Sequence, residues 1–246
     1  FIHWGIYSVP ARGEWFMDSG VSRDDYARYS REFNPLRFNA PEWVRTAREA
    51  GMKYLVITAK HHDGFSMFRT QATDYNVVQA TPWGHDPLLE LSRACREEGI
   101  RFCVYYSIMD WHHPSQEPER AGPGKVKYNP THFAAGQKEA YVRFMKDQLS
   151  ELILNYHPSL IWFDGAWMQG WTAQDGQDLY QTLRALDPEL VINDRTGGGG
   201  DYQTPEQTIP GAVVPGGAWE TCMTINGSWG YNSGDAGWKE SRTLIR

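Results

Sequence analysis

The residues best suited to chemistry stand where apolar runs end. In Leu160-Ile161-Trp162-Phe163-Asp164-Gly165 an acid follows four bulky residues and precedes a glycine that leaves room for close approach. A carboxylate at the end of a buried strand is costly unless it is hydrogen-bonded or used, so Asp164 is a candidate nucleophile; a helix N-cap is the other role that such a position allows. His61 and His62 follow a second run, in Ala59-Lys60-His61-His62-Asp63-Gly64-Phe65. Adjacent side chains on extended chain face opposite ways, so these two do not chelate one metal from a regular strand. Where the chain turns, both can offer ring nitrogens to hydroxyl groups. Arg195, in Asn193-Asp194-Arg195, places a fixed cation that can hold a substrate oxygen, orient a carboxylate or form a structural ion pair. Two further acids, Glu206 in Thr204-Pro205-Glu206 and Glu220 in Trp219-Glu220-Thr221, are possible partners for Asp164. One acid that attacks and one that donates a proton are the equipment for cleaving a glycosidic bond. His112-His113 precede Pro114 and read as loop residues. Metal-ligand spacings such as His-x-His are absent, so no metal is expected.

These residues need a scaffold that brings strand ends to one rim. The 246 residues, 41% hydrophobic and 22% charged, suit one folded domain or slightly more. A net charge of −6 leaves no basic stripe, which argues against nucleic acid, anionic membranes and polyanionic substrates. No apolar run is long enough for membrane insertion. Cys95, Cys103 and Cys222 are too scattered for a disulfide framework. Eleven Trp with 24 Gly supply flat rings on adaptable loops, which either stack on sugar faces or fill an aromatic core. Phe1 lies inside an apolar run with no capping signal before it, so the chain reads as cut from a longer one.

Strands are expected at 1–6, 54–58, 101–107, 160–163, 190–193 and 219–224. Helices are expected from Pro41 to the stop at Gly51, from the Asp86 cap to Gly99, and over 131–155, 175–186 and 238–246. The alternation predicts an α/β fold, a (β/α)8-like TIM barrel that is incomplete, with about six βα units and two strands beyond Arg246. Gly197 to Gly200 precede no helix and read as a flexible loop rather than a phosphate cradle.

Seven segments in the same order carry a resemblance. They are Phe1 to Pro10, Glu14-Trp15, Ala59 to Phe65, Tyr105-Tyr106-Ser107, Trp162-Phe163-Asp164, Asn193-Asp194-Arg195 and Ser228-Trp229-Gly230-Tyr231-Asn232. Together the chain resembles the α-L-fucosidases of glycoside hydrolase family 29. The resemblance implies a retaining exo-glycosidase without metal or cofactor, acting on a fucosylated oligosaccharide or glycoconjugate, with a β-sandwich domain following the barrel. It places the nucleophile on Asp164 and the acid/base on Glu206, with Glu220 as competitor and substrate contact. It places the other sugar contacts on His3, Glu14, Trp15, His61, His62, Tyr106, Trp162, Arg195 and Trp229, with Tyr105 as the alternative to Tyr106. Leaving-group contacts are expected from variable loops such as 114–127.

Overall fold

The computed structural model describes residues 1–120, 126–210 and 217–244. Its centre is a four-stranded parallel sheet in the order β1 (Tyr54–Lys60), β2 (Arg101–Ser107), β5 (Leu160–Asp164), β6 (Val191–Ile192). A separate antiparallel hairpin, β3 (Gln116–Arg120) and β4 (Val126–Phe133), projects from the end of β2. The helices are α1 (Arg23–Ala27), α2 (Ala40–Glu49), α3 (Val77–Ala80), α4 (Pro87–Glu98), α5 (Lys138–Tyr156), α6 (Ala173–Leu186) and α7 (Ser241–Leu244). The architecture is mixed α/β around a parallel sheet. No described helix is long and apolar enough to cross a membrane.

Period-two alternation divides the sheet into two faces. Leu55, Ile57, Phe102, Val104, Tyr106, Ile161 and Phe163 point into the large core shared with the helices. Val56, Cys103, Tyr105 and Trp162 point the other way into a smaller aromatic cluster with Cys222. Val104 pairs with Ile161 in register, and both are fully buried. Each such side chain contributes about 1.5–3 kcal/mol of burial. The same register sets Tyr105 beside Trp162 and Ser107 beside Asp164 on the second face.

The helix boundaries at α2, α4 and α6 follow local chemistry. The side chains of Asn39 and Asp86 accept the amides of Glu42 and Leu89, and Thr172 with Asp175 closes a capping box. Gly99 ends α4 at φ +68°.

Elsewhere the structure corrects the sequence reading. At residues 1–6 only Ile2 bridges to Ile57, and a 3-10 helix follows at Ile6–Ser8. The Thr58 hydroxyl explains the stop: it accepts from the Trp4 amide (2.9 Å) and donates to the Trp4 carbonyl (2.6 Å), replacing ladder bonds with a side chain. At 190–193 the strand shortens to Val191–Ile192, because the Asn193 amide group itself pairs with both the N–H and the carbonyl of Phe163. At 219–224 Trp219 and Cys222 form isolated parallel bridges to Gln203 and Glu206. The helix expected over 131–155 begins only at Lys138, because Thr131 to Phe133 complete β4 and Gly136 turns the chain at φ +69°.

Gly198 and Gly200 are not loop filler. A Cβ on Gly198 would lie 2.2 Å from the Gln177 nitrogen, and one on Gly200 2.2 Å from the Asn193 carbonyl oxygen, so the glycine run packs directly against α6 and the end of β6. Of the helix expected at 238–246, Ser241–Leu244 is helical and residues 245–246 lie outside the described residues, as do 121–125 of the expected 114–127 loop.

Candidate active site

A cavity of about 150 Å³ opens at the carboxyl ends of the parallel strands. Asp164, the last residue of β5, is in its wall. Its Oδ2 accepts from the Tyr105 hydroxyl at 3.0 Å and its Oδ1 from Arg195 Nη1 at 3.3 Å. The carboxylate therefore faces the cavity and is not a helix cap. Burial pushes Asp164 up to about 6 even though Arg195 and Tyr105 pull it down. Desolvation thus outweighs the cation, where the composition of the site would suggest a strongly ionised acid.

Glu206 stands across the same guanidinium, its Oε2 accepting from Arg195 Nη2 at 3.0 Å. One arginine spans both acids, and it is fixed by bonds from Nε to the Thr204 hydroxyl and from Nη2 to the Thr204 carbonyl. The Arg195 guanidinium also lies 4.7 Å over the Trp162 ring. Glu206 is 42% exposed. Its segment is held in place. The Glu206–Cys222 bridge, with Gln207 N to Cys222 O at 2.9 Å, pins it to the neighbouring chain.

The chain does turn after β1, closed by Gly64 N to His61 O at 3.1 Å, and this sets both histidine rings on the cavity wall with centroids 4.4 Å apart. Burial pushes His61 down to about 3 and His62 well below the usual imidazole range, so both are neutral at physiological pH. His3 joins them, its ring 5.5 Å from His61 and stacked at 5.3 Å on Trp229. The Nδ1 atoms of His3 and His61 are buried without a hydrogen-bond partner. Buried polar atoms are seldom left so, and both of these belong to residues of the cavity wall. Trp15, Trp162 and Trp229 supply flat walls.

Three expected contacts lie outside the cavity. Tyr106 is on the helix-facing side of β2, where its hydroxyl donates to Gln148 Oε1 at 2.7 Å; alternation gives the cavity position to Tyr105. Glu14 is buried behind the wall, where it accepts the Gly230 amide at 2.6 Å and so fixes the loop that carries Trp229. Glu220 lies beneath Trp162, accepting from its indole at 3.2 Å and from the hydroxyls of Tyr54 (2.7 Å) and Tyr202 (2.9 Å). It orients the tryptophan and does not itself line the pocket. His112 and His113 are also outside, packed on Tyr75 and on Phe144. The sequence reading missed Phe1, Trp167 and Cys222 in the cavity wall. Trp167 follows Asp164 by three residues, and inspecting aromatic as well as polar residues after each strand would have found it.

The family model described as Alpha-L-fucosidase matches residues 1–246, the whole chain. The chain belongs to the alpha-L-fucosidase family. Among curated fucosidases it is 31% identical to the tissue alpha-L-fucosidase of Homo sapiens over 258 aligned residues, covering 94% of this chain and 53% of that one. It is 30% identical to the alpha-L-fucosidase of Dictyostelium discoideum, covering 94% and 55%. The chain thus spans about half the length of the curated fucosidases it matches. Among solved fucosidases, isoenzyme 1 from Paenibacillus thiaminolyticus superposes with a TM-score of 0.85 at 34% identity, over 100% of this chain and 63% of that one. The enzyme AlfC from Lactobacillus casei, in complex with alpha-L-fucose product, superposes with a TM-score of 0.86 at 32% identity, over 99% and 81%.

Proposed function

We propose that this chain carries the catalytic site of a retaining exo-α-L-fucosidase that removes terminal α-L-fucosyl units from oligosaccharides or glycoconjugates. The single observation that carries the reading is Arg195 holding two carboxylates, Asp164 and Glu206, at the wall of one aromatic and histidine-lined cavity. Asp164 attacks the anomeric carbon while Glu206 protonates the departing oxygen, forming a glycosyl-enzyme. Glu206 then takes a proton from water, which releases L-fucose with retention. The half-exposed position of Glu206 suits a donor that meets the aglycone at the mouth of the pocket. The small cavity suits a single sugar unit.

In the same reading the scaffold is a (β/α)8-like barrel, of which this chain supplies about six units. Neighbour order supports it. Parallel contacts run in chain order from Ile2 to β1, β2, β5 and β6, then through Asn193 to Tyr202 and Gln203 to Trp219.

The test is Asp164→Gly with an aryl α-L-fucoside. Turnover should fall by about 10³-fold or more and return on adding azide, as β-fucosyl azide. Normal turnover without azide would remove Asp164 from the role, and retained fucose binding with no hydrolysis by the unsubstituted protein would favour a carbohydrate-binding barrel. Glu206→Gln should slow substrates with poor leaving groups far more than nitrophenyl fucosides, which need no proton; equal slowing of both would take the acid role from Glu206.

A further inference from the structure

The histidine nearest the nucleophile is not free to choose its tautomer. His62 Nδ1 lies 2.6 Å from the Ser107 hydroxyl oxygen, and that hydroxyl lies 2.6 Å from the Met109 carbonyl oxygen. A serine hydroxyl has one proton, and a carbonyl can only accept. The proton therefore goes to Met109, and Ser107 accepts from Nδ1–H of His62. The imidazole is neutral, because burial holds it well below its usual value. Its other nitrogen, Nε2, is then an unprotonated acceptor.

Nε2 has no donor of its own in this arrangement. It sits 3.9 Å from Asp164 Oδ2, beyond hydrogen-bond distance, and that oxygen already accepts from the Tyr105 hydroxyl. Two acceptors that face each other across such a gap call for a donor between or beside them. Rotation of the ring to escape is blocked, since Trp15, Trp111 and Trp167 surround it at centroid distances of 5.2, 5.3 and 5.5 Å.

The local sequence builds the relay. Register places Ser107 directly beside Asp164 on the cavity face. Gly165 lets the chain at Met109 close over it: a Cβ on Gly165 would stand 2.7 Å from the Met109 nitrogen and 2.9 Å from Ser107 Oγ.

We propose that Ser107 is a positioning residue for glycoside recognition: by locking His62 in the Nδ1–H form it makes Nε2 an obligatory acceptor for one ring hydroxyl of the sugar beside the reacting carbon. This rests on the fucosidase reading for the identity of the sugar, but the tautomer itself does not. A site that can only accept there rejects a sugar lacking a hydroxyl donor, because Nε2 would be left buried and unpaired.

Two measurements on the intact protein test it. Nitrogen-15 NMR of labelled histidine, without ligand at neutral pH, should show His62 protonated on Nδ1 and bare on Nε2; protonation on Nε2 would overturn the proposal. This reading needs no turnover, so a protein inactive on aryl α-L-fucosides would sink the fucosidase reading while the tautomer is still decided by its own spectrum. The second measurement compares Ser107→Ala with the unsubstituted protein on an aryl α-L-fucoside and its 2-, 3- and 4-deoxy analogues. For the parent sugar kcat/KM should fall about tenfold, and for one deoxy analogue the loss should nearly vanish. A general structural effect would lower all four equally, and that result would refute the role.

Discussion

Arg195 is the residue on which the electrostatics of the site turn. It touches both carboxylates, and its pull on Asp164 is opposed by burial, which leaves that acid at about 6. In the proposed mechanism the attacking form of Asp164 is the deprotonated one, so kcat/KM should rise with pH through an acid limb near 6. Arg195→Gln removes the opposing cation and should carry that limb to higher pH by about one unit, with lower activity throughout. A pH profile of kcat/KM for both proteins checks this; an unmoved limb would mean that Arg195 does not tune the nucleophile. Asp164, His61, His62 and Arg195 were legible because polar residues that close apolar runs stand out in any strand–helix alternation, whereas Glu206, which follows no such run, was picked out by motif order. Tyr105 and Tyr106 were not separable, because a one-residue choice of face depends on register, which the sequence does not show.

At the scale of elements, the best-specified pieces are those with their own start and stop chemistry. Asp86 caps α4 through Leu89 N at 3.1 Å, and its other oxygen accepts from Arg69 N at 3.1 Å and from the Tyr156 hydroxyl on α5 at 2.6 Å. Asp86→Ala removes a cap and two charged hydrogen bonds, and should cost about 2–4 kcal/mol in urea unfolding while turnover per folded molecule is preserved. The cap was readable from Asp86-Pro87; the tie to α5 was not. The errors share one cause, which is a side chain or a turn taking over from backbone pairing. Thr58 replaces the ladder beside Trp4, the Asn193 amide replaces it beside Phe163, and Gly136 separates β4 from α5.

At the scale of the molecule, the cavity draws on segments from Phe1 to Trp229, so no single unit of the fold holds the site. Filling it should therefore stabilise the whole chain. L-fucose at a hundredfold excess over its Kd should add about 2.7 kcal/mol to unfolding stability, and D-glucose at the same concentration almost nothing. Thermal unfolding with each sugar measures this, and identical shifts would contradict a fucose-shaped pocket.

The sequence alone determined the α/β alternation, the capped helices, the family, and the acid, histidine pair and cation that follow apolar runs, because those follow from local periodicity and from motif order. Tertiary structure decided which face of β2 meets the cavity and that Glu14 and Glu220 support the wall rather than line it. It also decided that one guanidinium spans two acids. These depend on strand register and on contacts between residues more than 200 positions apart in the chain, as in the bond from Gly230 to Glu14, and no local pattern encodes such distances.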